Sequence, residues 1–151
     1  MKLFDFGLAK ELDPLQRTAD GQFYEMSGGT GSRRFMAPEV ALGEPYNLSA
    51  DIYSFAILLW ELVALDKAFG KLSQDDHKEL VIKQNERPTL KKEWTPAVHQ
   101  LLNSCWDRNP LKRISSKELH RLLKQEVTIY FEDGFITNAT IDDIFEKRLC
   151  I

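Results

Sequence analysis

The residues best suited to chemistry are framed by two tripeptides, Asp5-Phe6-Gly7 and Ala37-Pro38-Glu39. Between them lies a polar stretch with Gly21, Gly28, Gly29 and Gly31, and the hydroxyls of Tyr24, Ser27, Thr30 and Ser32. A carboxylate such as that of Asp5 is a hard oxygen donor. Taken alone, an aspartate here reads first as a strand-end group capping a turn, and the hydroxyls read as loop polarity. Residues 14–34 carry no apolar period, however, and so long a loop in a compact domain is usually functional or disordered. Other chemistries find little support. His77, His99 and His120 lack metal-ligand spacing, and neither Gly-X-Gly-X-X-Gly nor His-Arg-Asp occurs.

The elements that must position these groups are mostly helical. Residues 2–6 suit a short strand, Gly7 a flexible joint, and residues 8–12 a brief helical turn stopped by Asp13-Pro14. Pro38 and Glu39 open a turn of helix that Gly43-Glu44-Pro45 ends. The next helix starts at Ser49 and is apolar on nearly all faces from Ile52 onward, so it belongs inside a core. Residues 74–84 form an amphipathic helix with an acidic first turn, Asp75-Asp76. Thr95-Pro96 starts another by the cap-then-proline rule, with Val98, Leu101, Leu102 and Cys105 on one face, and Asn109-Pro110 stops it. Ser115 or Ser116 caps a further helix carrying Leu119, Leu122 and Leu123. Residues 127–131 and 135–137 suit a hairpin around Glu132-Asp133-Gly134, and 142–149 a short charged helix.

Composition sets the outer limits. The 151 residues are one domain's worth, 43% hydrophobic and 28% charged, ordinary for a soluble globular protein. A net charge of −3 gives no support to binding of nucleic acid or an anionic membrane. Two cysteines, Cys105 and Cys150, cannot make a disulfide scaffold, which favours a reducing compartment. No signal peptide is visible, and the longest apolar run, 52–65, is too short to span a bilayer. A cytoplasmic or nuclear location is expected.

Taken in order, the motifs resemble the C-terminal lobe of a protein kinase from the Asp-Phe-Gly motif onward. The resemblance rests on Asp5-Phe6-Gly7, the run from Gly31 to Glu39, Ala50-Asp51-Ile52-Tyr53-Ser54-Phe55, Trp60-Glu61, Arg87-Pro88 and Cys105-Trp106…Asn109-Pro110…Arg113. Trp60-Glu61 and the Cys105 block look most like the tyrosine-kinase-like group, whereas Ala56 departs from the glycine of many members. The implied fold is mainly α, a truncated part of an α+β parent, with helices around a buried central helix. The implied domains are a partial kinase domain over 1–124 (activation segment 5–39, helical subdomain 40–124) and a tail of unknown role over 125–151.

The resemblance also implies roles. Asp5 would hold Mg2+ against the phosphates of ATP, with Phe6 and Gly7 setting its orientation. Ser32 stands where serine/threonine-specific members keep a hydroxyl that contacts the catalytic loop, and the proline usual nearby in tyrosine-specific members is lacking. This implies a serine/threonine kinase, with dual specificity open. Thr30, then Ser27, then Tyr24 are candidates for phosphorylation by an upstream activating kinase, because phosphate could order the loop against arginines. Glu39 and Arg113 would form a buried ion pair beneath the segment. Asp51 would accept hydrogen bonds from the catalytic loop, although alone it reads as a first-turn carboxylate favourable to the helix dipole.

The same pattern requires a Gly-rich loop, a phosphate-gripping lysine and a His-Arg-Asp base, none of which these residues contain. Two readings follow. In the first the chain is part of an ATP-dependent serine/threonine kinase acting on protein substrates, inactive alone and completed by an N-terminal half in cis or in trans. In the second it is a non-catalytic binding or scaffold module derived from a kinase. On either reading the isolated chain should be marginally stable or sticky.

Overall fold

A computed structural model describes residues 6–132, with side chains described as far as 126. Among the described residues the regular structure is helical. Strand-like pairing is limited to isolated bridges, Arg17 with Tyr24 and Tyr24 with Tyr46. The mainly α expectation is met. The expected strand at 2–6, but for Phe6, and the expected helix at 142–149 lie outside the described residues.

The helices follow from local chemistry. Helix α1 (Pro38–Leu42) opens on a proline, whose missing N–H costs nothing there, and closes on Gly43 at φ 72°. Helix α2 (Ser49–Ala64) is the central element, burying Ala50, Ile52, Tyr53, Ala56, Ile57, Trp60 and Ala64. Its first turn is capped by Asn47, whose side-chain oxygen accepts from the Ser49 N–H at 2.9 Å. Ser49, expected to give the start signal, instead buries a hydroxyl with no partner among the described residues.

Helix α3 (Gln74–Asp76) starts under a Ser73 cap, and the chain then widens into a π-helical run, His77–Lys83. The amphipathic helix expected over 74–84 is thus present with a wider pitch through most of its length. Helix α4 (Pro96–Cys105) has the expected Thr95 cap, accepting from the Val98 N–H at 3.2 Å. It packs against α2, and Leu102 and Cys105 join Tyr53, Ile57 and Val81 as the largest fully buried side chains. The Trp60 indole donates to the Thr89 carbonyl at 3.0 Å and meets Trp94 edge-on, closing the far end of this core. Burial pushes the Cys105 thiol up to about 12, so this cysteine is a packing group and not a nucleophile.

Two expectations are corrected. Residues 8–12 form no helical turn; a single tight turn closes with Ala9 N–H to Phe6 C=O at 3.0 Å, and helical geometry first appears at Pro14–Gln16. Asp13 does not stop a helix there but starts that 3₁₀ turn, its carboxylate accepting from Leu15. Residues 127–131 do not form a hairpin strand either, because they continue helix α5 (Ser116–Glu132). Their β-branched and aromatic content suits a strand, yet Leu119, Leu123 and Val127 keep a four-residue spacing that extends the helical period. The other half of that hairpin, 135–137, lies outside the described residues.

The chain divides into two compact units, with the boundary between Ser115 and Ser116. Within the second unit Arg121 pairs with Glu118 at 2.6 Å and donates to Gln125 at 2.8 Å, ordinary exposed helix pairs.

Candidate functional site: the segment from Phe6 to Glu39

The segment is fastened most firmly at its far end. Pro38 sets the entry to α1, which turns the Glu39 carboxylate inward, where the residue is only 5% exposed. Arg113 follows the 3₁₀ turn Pro110–Lys112, which Asn109 caps by accepting from Leu111, and that turn aims its guanidinium at Glu39. The pair is bidentate, with Nη1 to Oε1 at 2.6 Å and Nη2 to Oε2 at 2.8 Å. Arg113 also donates to the carbonyls of Asp107 at 2.8 Å and Ser49 at 3.1 Å. A buried guanidinium whose donors are so fully used is the geometry in which a buried ion pair can hold.

Just upstream, three further ties hold the 3₁₀ turn Arg33–Phe35. Arg33 donates to the Gln74 side chain at 3.2 Å, Arg34 pairs with Glu61 at 3.3 Å, and the Ser54 hydroxyl of α2 donates to the Phe35 carbonyl at 2.8 Å. Glu61 also accepts from the Ala68 N–H at 2.8 Å, joining the turn to the chain that follows α2. Ser32 stands at the head of this turn, exposed, with no capping bond from its hydroxyl.

The middle of the segment is held by backbone. Tyr24 exchanges both hydrogen bonds with Tyr46, at 3.0 and 3.2 Å, so the Tyr24 side chain belongs to a pinned position rather than a free tip. The Gly29 N–H donates to the Val40 carbonyl at 3.0 Å. This approach needs a glycine beside it: a Cβ at Gly28 would lie 2.4 Å from the Val40 oxygen and 3.0 Å from the Gly43 Cα, both backbone atoms. Gly28→Ala should therefore push the loop off α1, costing about 1–3 kcal/mol. Hydrogen exchange should show protection lost at the Gly29 amide; unchanged protection there would disprove the close approach.

The candidate hydroxyls differ in their surroundings. Ser27 is exposed, and both its hydroxyl and its carbonyl contact the Lys10 ammonium; Tyr46 also donates to that carbonyl, at 3.1 Å. Thr30 is exposed and donates to the nearby Gly28 carbonyl at 3.3 Å. At the other end Phe6 is 68% exposed and Gly7 lies in the first turn. Asp5 lies outside the described residues. Asp51 is exposed in the first turn of α2, apart from the Glu39–Arg113 pair.

Lys10, Tyr46, Gln74 and the Arg34–Glu61 pair were not singled out by the sequence. Opposite charges inside two of the recognised motif blocks were a usable signal for the last of these. Lys10 carried none, since the loop that brings Ser27 to it has no period.

The described residues show no cluster of metal ligands. No group of three or more His, Cys, Asp or Glu side chains among them could hold a metal ion. A hollow of about 520 Å³ lies along the segment, lined by Lys10, Glu11, Asp13, Gln16, Glu25, Met26 and Ser27. Three carboxylates against one ammonium make it unsuited to phosphates. No described helix is long and apolar enough to cross a membrane.

The profile of the protein tyrosine and serine/threonine kinase family matches residues 1–123, and the chain belongs to that family. Its relatives are kinases of the tyrosine-kinase-like type. It is 31% identical over 138 residues to the dual specificity protein kinase shkD of Dictyostelium discoideum, covering 89% of this chain and 18% of that protein. It is 34% identical over 125 residues to the serine/threonine-protein kinase STY17 of Arabidopsis thaliana, covering 83% and 20%. With the serine/threonine/tyrosine-protein kinase HT1 of Arabidopsis thaliana the identity is 35% over 113 residues, covering 75% and 27%. The chain thus spans roughly a fifth to a quarter of the length of these relatives.

Proposed function

We propose that these residues form the activation segment and helical floor of an ATP-dependent serine/threonine protein kinase. The observation that carries this reading is the asymmetry of the segment between Phe6 and Glu39. Its end is fixed to the floor by a buried bidentate ion pair, while Ser27, Thr30 and Ser32 stay exposed. Such a segment can present a protein substrate at one end and be reset by phosphorylation in the middle. On this reading Thr30 and Ser27 are the regulatory hydroxyls, with Tyr24 the least suited because its backbone is paired on both sides. Ser32 would contact the catalytic loop.

Asp5 would be the carboxylate ligand of Mg2+ when ATP is bound, with Phe6 and Gly7 controlling its approach. The phosphate-gripping lysine and the catalytic base come from residues other than these 151, in cis or in trans. Asp51 and the exposed apolar residues Leu48, Leu62 and Leu65 along α2 form the surface on which those parts would rest.

The test is phosphoryl transfer from labelled ATP to a generic protein substrate, by the 151-residue chain and by the longest natural polypeptide containing it. The chain alone should be inactive. The longer protein should label serine and threonine, and Asp5→Ala should abolish the signal. Labelling confined to tyrosine would overturn the specificity. A longer protein without transfer that still binds a client through this surface would establish the scaffold reading instead.

A further inference from the structure

His77 is the buried histidine of the first unit. It is 9% exposed, it opens the π-helical run, and its ring meets Phe69 edge-on at 5.2 Å and 88°. The Nε2 atom has no hydrogen-bond partner among the described residues. A buried imidazole nitrogen with no acceptor is tolerable when it carries a lone pair. It is costly when it carries a proton and a charge. Phe69 itself sits at φ 56°, a left-handed backbone conformation that a bulky residue adopts only when its surroundings hold it there.

The charges around the ring sharpen the cost. The groups acting on it from other elements are Arg33 and Arg34 of the 3₁₀ turn Arg33–Phe35 and Arg87, which lies between the π-helical run and α4, all cations. The carboxylates nearby are already engaged. From α1, which packs on the π-helical run, Glu39 is held by Arg113. From α2, Glu61 is held by Arg34 and the Ala68 N–H. On its own run, Asp76 accepts from the Ser73 hydroxyl and Glu79 from Lys83, while Asp75 is exposed. In the loop that carries Phe69, Asp66 accepts from the Lys67 N–H, and Lys67 and Lys71 are exposed.

We infer that His77 is a proton-sensitive joint: its neutral ring seats residues 74–83 against Phe69, and protonation unseats them, loosening the Gln74 hold on Arg33. Burial, and then the three arginines, hold its pKa below the usual 6.5. The folded value lies below the unfolded one. Stability is therefore intact above about pH 6.5 and is lost as pH falls through the lowered folded value. The joint does not depend on catalysis, and its test needs none.

The test is an NMR titration of the His77 ring in the 151-residue chain from about pH 8 to about pH 5, alongside hydrogen exchange of residues 33–35 and 74–83. The ring should titrate below 6.5. Exchange in both stretches, corrected for its intrinsic pH dependence, should rise by up to about tenfold per pH unit as the proton binds. His77→Leu and His77→Gln, which cannot take up the charge, should flatten that rise. Titration at or above 6.5 overturns the inference, and the wild-type ring reports this even where a variant folds poorly. An undiminished pH dependence in both variants overturns it as well.

Discussion

Arg113→Ala should cost the chain about 3–5 kcal/mol of stability, because it leaves the Glu39 carboxylate buried with no cation. Arg113 is 0% and Glu39 6% exposed at the side chain, so solvent cannot take over the lost partner. The substitution also deletes donors to the Asp107 and Ser49 carbonyls, which ties the loss to the entry of α2 as well as to α1. Total stabilities of single domains are about 5–15 kcal/mol, so the variant should melt far below wild type or fail to fold. Lys112→Ala, next in sequence but solvent-facing, should stay within about 0.5 kcal/mol. Thermal or urea unfolding followed by circular dichroism compares the two. Equal melting would mean that the pair contributes nothing. Glu39→Gln combined with Arg113→Met should recover part of the loss, since a neutral pair strands no charge.

Tyr53 should divide the same way between two substitutions. Its ring is fully buried between two guanidinium groups, Arg87 at 5.0 Å and Arg113 at 5.1 Å from the centroid. Tyr53→Ala removes a large core side chain and both cation–π contacts, for an expected loss of about 3–5 kcal/mol. Tyr53→Phe keeps the ring and deletes a hydroxyl that is buried without a partner among the described residues. It should be neutral or stabilising, within about 1 kcal/mol, because nothing is left unpaired. Burial raises the phenol pKa above its usual value, outweighing the arginines, so the hydroxyl stays neutral across the working pH range. A loss of more than about 1 kcal/mol in Tyr53→Phe would mean that the hydroxyl has found an acceptor. Because Arg113 touches the ring, the effects of Arg113→Ala and Tyr53→Ala should not add.

The parts of this structure that were legible in the sequence are those governed by local rules. Pro38 before Glu39, Thr95 before Pro96 and Gly43 after Leu42 each name a helix end, because capping is decided within a few residues. The central position of α2 was legible for a similar reason: a helix apolar on almost every face has nowhere else to go. The kinase membership came from the order of motif blocks spread along the chain. Positions set by long-range contact were not legible. Asn47 and Ser49 are equally good caps by type, and only the turn geometry decides that Asn47 serves. The pinning of Tyr24 by Tyr46 and the reach of Lys10 to Ser27 join residues through loops without any period. Residues 127–131 show the opposite error, where β propensity outweighed a helical spacing that the chain in fact follows.

The pair of backbone hydrogen bonds between Tyr24 and Tyr46 also bears on how this chain can change length. With Arg17 bridged to Tyr24 in turn, the stretch between them is closed off as a small lobe of its own. Lengthening a closed loop costs only about 0.6 kcal/mol per doubling. Residues inserted between Thr18 and Phe23 would therefore be cheap and would leave the floor untouched. The same insertion between Gly28 and Glu39 would shift Gly29, Arg33, Arg34 and Phe35 out of step with four separate partners. Added length should therefore be tolerated in the first half of the segment, while the second half is bound to a fixed count.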